Sequence, residues 1–294
     1  MYIDSFKVFC DLVKTSSFSK SAVLNNITQS AVSQQVRSLE IRFDCTLVER
    51  GRRNLSLTPE GLAFHKTCEK IISVWDDFEA RLKEIKNVVE GEVRVASIYS
   101  IGLHELPARL KTFSDKNPDV HVRVDYCRSE QVYEMIESGK ADLGLVAYPA
   151  KHSGVLFEVF DEDHLVLICH PKHPLAAKKK VSLSALKGEK FLSFDPESPT
   201  RKAIDRCLRD AQVKVVNAGE FDNIETVKRS VEIESGISIV PSHSIKQEVK
   251  AGRLVAVEIE GQKLTRPLGL VYSRTRPRPA GLKELIASLK ERAK

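Results

Sequence analysis

Apolar residues recur at helical spacing over the first ninety positions and then give way to short β-rich runs. Phe6, Phe9, Leu12 and Val13 turn one face of a first helix inward, and Thr15-Ser16-Ser17 ends it. Phe18 to Leu24 reads as a second short helix, with Ala22 small enough for close packing. Asn25-Asn26-Ile27 follows as a tight turn, because Asn tolerates left-handed backbone angles. Thr28 caps a third helix whose inward positions are Val32, Val36, Leu39 and Phe43. From Phe64 the apolar positions are Phe64, Cys68, Ile71, Trp75, Phe78, Leu82, Ile85 and Val89, alternating steps of four and three. That heptad seam predicts one long helix over residues 58 to 90, with Thr58 as its cap, Pro59 in its first turn and Gly91 as its stop. A helix of roughly 45 Å outruns the small region before it, so the seam is read as a dimerisation surface.

Beyond Gly91 the strand-like runs are Val93 to Ile98, Val120 to Tyr126, Asp142 to Ala147, His164 to Cys169, Phe191 to Phe194, Ile237 to Val240, Leu254 to Ile259 and Leu268 to Tyr272. Helical stretches fall at 102 to 116, 130 to 138, 200 to 211, 223 to 234 and 280 to 292. This alternation predicts an α/β domain.

Composition narrows the class. The 294 residues are 42% hydrophobic and 29% charged, an ordinary globular balance. No apolar run approaches the ~18 residues that span a bilayer, and Asp4, Lys7 and Asp11 interrupt what would be a signal-peptide core, so a cytoplasmic protein with no membrane partner is expected. Six scattered cysteines without a CxxC argue for reduced thiols and no structural zinc. The net charge of +6 permits nucleic-acid binding without locating it, since residues 266 to 294 carry an excess as large as the whole.

Candidate chemistry begins on the third helix. Opposite its inward face lie Gln29, Ser30, Ser33, Gln34 and Arg37, with Thr28 at its start. These are short or forked hydrogen-bonding side chains plus one cation, suited to base edges and phosphates in a major groove. Residues 47 to 57 then read as two brief strands around a turn bearing Arg50, Arg52 and Arg53, a wing for the adjacent backbone or minor groove.

These residues resemble the LysR-type transcriptional regulators. The resemblance is carried by Phe6, Phe9, Ser17-Phe18-Ser19, Ala22, Leu24, Gln29-Ser30-Ala31-Val32-Ser33, Leu39-Glu40, Leu47, Glu49-Arg50 and Leu57-Thr58-Pro59-Glu60-Gly61. It continues through Gly91-Glu92-Val93-Arg94-Val95, Leu106-Pro107, Asn117-Pro118, Gly139-Lys140-Ala141-Asp142-Leu143-Gly144-Leu145, His173-Pro174-Leu175 and Gly236-Ile237-Ser238-Ile239-Val240-Pro241. The sequence departs from the family pattern where Ser30 stands for a usual proline, Val36 for isoleucine, Asp44 for glycine and Val48 for phenylalanine.

The resemblance implies an α/β chain with an N-terminal all-α winged helix-turn-helix over 1 to 57 and a linker helix over 58 to 90. It further implies an effector domain over 91 to 294, made of two α/β subdomains resembling type 2 periplasmic binding proteins. Subdomain I would hold 91 to 163 and 267 to 294, subdomain II 164 to 266, with chain crossings near Asp161 to Leu165 and Thr265 to Leu268. It implies a ligand-responsive regulator of promoter DNA, assembled as a dimer of dimers and touching RNA polymerase if it activates. Open α/β sheets bind ligands at strand ends and helix N-termini. Candidate effector residues are therefore Ser97, Tyr99, Ser100, Arg128, Ser129, Tyr148, Phe194, Ser198, Thr200 and Asn223, with Asp222 beside them. By resemblance Ser100 and Thr200 hold small anionic effectors, and few acidic side chains besides Asp222 are expected there. No cofactor or metal is expected.

Three other functions compete with regulation. No GxSxG, GxGxxG, Walker or HExxH pattern supports an enzyme, and His170 and His173 sit beside prolines unsuited to a helical metal pair. A solute-binding protein lacks a reason for the helix-turn-helix. A thiol redox-switched regulator of the same fold would use Cys207, for which no resolving cysteine lies nearby in sequence.

Overall fold

The computed structural model describes residues 2–50, 55–85, 89–261 and 264–291, and divides into two compact units, Met1–Leu82 and Lys83–Lys294. The first contains α1 (Tyr2–Thr15), α2 (Phe18–Leu24), α3 (Gln29–Phe43), the antiparallel pair β1 (Val48–Arg50) and β2 (Leu55–Leu57), and α4 (Pro59–Ile85) as far as Leu82. Ser17 caps α2 by accepting from Lys20 N at 3.3 Å, and Thr28 caps α3 by accepting from Ala31 N at 3.1 Å. Asn26 supplies the left-handed turn between those helices, with φ +53°. Phe9, Leu12, Val36, Leu39, Leu47, Val48 and Cys68 form the core of this unit.

Three expectations change here. Phe43 is half exposed rather than inward, lying against Phe64 with ring centres 5.2 Å apart. Phe64 and Cys68, the first two seam positions, belong to the core of the helix-turn-helix, because Phe64 also packs on Phe6 and Phe9. The long helix ends at Ile85 among the described residues. Val89 lies outside it, and Gly91 opens a strand with φ +108° instead of stopping the helix.

The second unit comprises β3 (Gly91–Ser97), α5 (Tyr99–His104), α6 (Leu106–Lys116), β4 (Val120–Tyr126), α7 (Ser129–Ser138), β5 (Leu143–Ala147), β6 (Val155–Cys169), β7 (Lys180–Val181), β8 (Lys190–Phe194), α8 (Pro199–Asp210), β9 (Val216–Phe221), α9 (Ile224–Glu232), β10 (Ser238–Pro241), α10 (Lys246–Lys250), β11 (Val255–Ile259), β12 (Thr265–Ser273) and α11 (Ala280–Lys290). One sheet runs β4-β3-β5-β12-β6-β11-β7, with β10 also on β6, while β8 and β9 pair in parallel beside it. β3 lies parallel to both β4 and β5, which places helices on the connections.

The two largest cores of this unit lie apart, and a smaller one gathers Ala96, Val132, Ile136, Val146 and Val271. One of the large pair gathers Val93, Val95, Phe113, Leu143, Leu145, Leu270 and Leu285. The other gathers Leu167, Phe191, Ile204, Val227, Ile239 and Val257. β6 passes between them without a break: His164 pairs with Thr265 of β12, and the next residue, Leu165, pairs with Pro241 of β10. The strand expected from His164 thus begins nine residues earlier, at Val155, its apolar first stretch being cut from the later one by Asp161-Glu162-Asp163. The helix expected over 102 to 116 is two helices broken at Glu105, where Pro107 starts α6 anew.

Candidate functional sites

On α3, Val32, Val36 and Leu39 are buried, and the face away from them forms an open concave strip of Gln29, Ser30, Ser33, Gln34 and Arg37, extended by Ser38 and Ile41. Thr28 Oγ1 and Ser30 Oγ are 2.9 Å apart, and Ser19 Oγ donates to Gln29 Oε1 at 3.4 Å. Glu40 joins α3 to the wing: its Oε1 accepts from Leu47 N at 2.9 Å and Val48 N at 3.2 Å. Thr58 Oγ1 donates to Thr46 O at 2.6 Å and accepts from Gly61 N at 2.9 Å, starting α4 against the same corner. A Cβ on Gly61 would stand 2.0 Å from Leu47 O, so only glycine permits that approach. Of the three wing arginines, Arg52 and Arg53 lie outside the described residues, and Arg50 is described only as the end of β1.

A second site is a cleft of about 280 Å³ in the effector unit, walled by both subdomains. Tyr99, Ser100, Arg128, Ser129, Phe194, Ser198, Thr200, Asp222 and Asn223 all line it. Asn223 caps α9 by accepting from Thr226 N at 2.9 Å, whereas neither α5 nor α8 has a side-chain cap, so Ser198 is not spent on one. Two expected members fall outside the lining. Ser97 is fully buried under α5, its hydroxyl donating to Ile98 O at 3.1 Å. Tyr148 donates to Thr265 O at 3.1 Å, and burial pushes its phenol up to about 12.

The residue that sequence reasoning missed is Arg266, at the start of β12. Its side chain is buried, yet it lines the cleft, and Nη2 donates to Ser100 Oγ at 3.1 Å while Nε has no hydrogen-bond partner. Burial lowers its basicity and the neighbouring Asp163 carboxylate opposes that; a guanidinium stays charged in either case. Arg266 and Asp163 face each other directly across the β12–β6 ladder.

The wall is also more acidic than expected, since Glu130, Glu134, Asp195 and Glu197 line it as well. Glu130 and Glu134 lie on α7 and Asp195 and Glu197 in the turn before α8, beside rather than at the positions picked by the strand-end and helix-start rule. Arg128 spends its charge on that rim, 3.4 Å from Asp195 and 3.9 Å from Asp222, and so ties α7 to the opposite wall. The cationic floor of the cleft is therefore Arg266.

Three thiols of the effector unit are disfavoured as thiolates. Burial pushes the Cys127 and Cys169 thiols up to about 11 and raises that of Cys207. Among the described residues no helix is long and apolar enough to cross a membrane.

Residues 3–62 match the family model described as bacterial regulatory helix-turn-helix protein, lysR family, and residues 86–294 match that of the LysR substrate binding domain. Over 285 residues, 96% of this chain and 94% of the relative, the sequence is 29% identical to the RuBisCO operon transcriptional regulator of Allochromatium vinosum. A full-length OxyR variant from Pseudomonas aeruginosa shares the fold with a TM-score of 0.75 at 18% identity, covering 99% of this chain and 95% of that one. Full-length CbnR complexed with its target DNA shares it with a TM-score of 0.74 at 19% identity, covering 100% of both. The chain belongs to the LysR family and is a ligand-responsive, DNA-binding transcriptional regulator with an N-terminal helix-turn-helix and a C-terminal effector domain.

Proposed function

We propose that the effector is a small molecule bearing an anionic group, seated in the cleft on Arg266 with the hydroxyls of Ser100, Ser129 and Thr200 around it. The observation that carries this reading is the buried Arg266 guanidinium, charged, facing the cleft and with its Nε unpartnered. A carboxylate, phosphate or sulfate complements that buried positive charge, whereas an amine would add to it. Tyr99 and Phe194 supply apolar surface beside the polar floor. Bound there, the effector shifts the balance between two arrangements of the regulator and so its grip on DNA.

The DNA is read by Gln29, Ser33 and Arg37 in the major groove, with Thr28, Ser30 and Gln34 beside them and the wing arginines on the backbone. The exposed apolar residues of α4 pair two chains, and two such dimers make the tetramer. The protein performs no catalysis, takes no cofactor, works in the cytoplasm and contacts RNA polymerase where it activates. The raised thiols of Cys127, Cys169 and Cys207 support an effector over a thiol redox switch, because the thiolate is the reactive form.

A thermal-shift panel on the full-length protein tests the effector class. Carboxylates, phosphates and sulfonates raise the melting temperature saturably and amines do not; stabilisation by cations alone contradicts the reading.

A further inference from the structure

His104 and Glu105 stand side by side where α5 meets α6, and each reaches across to the other subdomain with opposite polarity. His104 Nε2 donates to Glu225 Oε1 of α9 at 2.9 Å. Glu105 accepts from His243 Nδ1, which sits in the 3₁₀ turn Ser242–Ile245 after β10. A carboxylate can only accept, so a ring N–H must point at each glutamate. Behind His243 lies the buried Asp163 carboxylate, 4.0 Å from Nδ1 and accepting from Ser242 Oγ at 2.9 Å. Asp163 is the cross-strand neighbour of Arg266, and Arg266 bonds Ser100 at the N-terminal end of α5. One line of charge therefore runs from the cleft floor through both crossing strands to the α5–α6 junction: Arg266, Asp163, His243, Glu105.

We propose that effector binding is proton-linked, an anion on Arg266 and a proton on His243 binding cooperatively because both hold the α5–α6 segment against the second subdomain. The proposal rests on the reading that Arg266 seats the effector's anion. Its sign follows from charge. Without ligand, Asp163 faces two cations, Arg266 and the His243 imidazolium, while Lys246 from α10 repels the latter and Glu105 attracts it. Arg109 from α6 acts in turn on Glu105. An anion in the cleft beside Arg266 adds negative charge to this group, so His243 holds its proton more tightly and takes one up where it was neutral.

The two histidines do not titrate together. The Glu105 hydrogen bond raises His243 against the opposing effect of burial, whereas burial and then Lys228 lower His104, which stays neutral where His243 changes charge. By linkage, a histidine raised in the folded state gives its stabilisation at low pH and loses it as pH rises through the raised value. Anion affinity must weaken over the same span.

Sodium sulfate is the probe, since it stays dianionic throughout. The readout is the sulfate concentration giving half of the saturable thermal stabilisation of the full-length protein, at ionic strength held constant with chloride. For the wild type this concentration rises on the order of tenfold between about pH 6 and about pH 8.5. His243→Gln makes it independent of pH, Glu105→Gln moves the rise to lower pH, and His104→Gln leaves it in place. Ser100→Ala removes the saturable response at both pH values, which locates it in the cleft. A response removed by Ser100→Ala but equal at the two pH values overturns the proton linkage and leaves the effector seat standing. PH dependence persisting in His243→Gln, or untouched in Glu105→Gln should the first variant not fold, also overturns it. No saturable response, or one indifferent to Ser100→Ala, contradicts the anion seat and the linkage with it.

Discussion

Asp44 ends α3 with φ +51°, a left-handed angle at a position where the resemblance leads one to expect glycine. Asp reaches that region more readily than most residues but still carries a Cβ penalty. Asp44→Gly is expected to stabilise the protein by about 1 kcal/mol, read from the urea midpoint. On the neighbouring face, Gln29→Ala is expected to cost about 1–3 kcal/mol of discrimination between preferred and random DNA while leaving the melting temperature unchanged. Gln29 was legible from sequence because a helix of known phase fixes which side chains face out, while Asp44 stood out only as a departure from the family's glycine. Arg266 was not. It stands in Thr265-Arg266-Pro267-Leu268, where the resemblance implied only a chain crossing, and nothing local says that a cation there is buried. A charged residue at the start of an otherwise apolar strand was the available signal.

At the scale of elements, α4 shows how a correct period can carry more than one role. Its heptad spacing is real, but Phe64 and Cys68 serve the helix-turn-helix core, leaving Ile71, Phe78 and Leu82 exposed at 37%, 49% and 41%. Trp75 packs on Phe78 with ring centres 5.7 Å apart and donates from Nε1 to Glu79 at 2.9 Å. The proposed pairing surface is thus the second half of the helix. Phe78→Ala is expected to cost about 3 kcal/mol of association, and Trp75→Asp with Phe78→Asp to yield monomers by sedimentation. A second element-scale test lies between α9 and α10, where Lys228, 3% exposed, donates to Ser244 O at 2.9 Å and meets Glu225 at 2.8 Å and Glu248 at 3.1 Å. Lys228→Met leaves the buried Glu248 carboxylate to the more distant Arg253, 3.7 Å away, and a loss of about 3 kcal/mol in chemical denaturation is expected. Sequence reading missed β9, Val216–Phe221, because Asn217 and Gly219 break its apolar pattern and its partner β8 is remote in the chain.

For the whole molecule, the alternation of strands and helices was enough to read an α/β effector domain, and the resemblance supplied its division in two. What sequence could not show is where the two walls converge. The strand-end rule found most of the cleft lining, yet it placed Ser97 and Tyr148 there, which belong to the floor beneath α5 and to the β12 contact. It also passed over the four acidic residues of the rim, which come from segments brought near only by the crossing strands β6 and β12.

The central claim is that ligand in this cleft controls contact of the recognition helix with DNA. It is tested most directly by fluorescence anisotropy of the full-length protein on the duplex it enriches from a random pool, with and without the anion that stabilises it most. The account predicts that the anion changes affinity or its salt dependence for the wild type, that Ser100→Ala with Thr200→Ala binds DNA equally but ignores the anion, and that Gln29→Ala loses sequence preference. Enrichment of no preferred duplex, or an anion effect unaltered by the cleft variant, would contradict it.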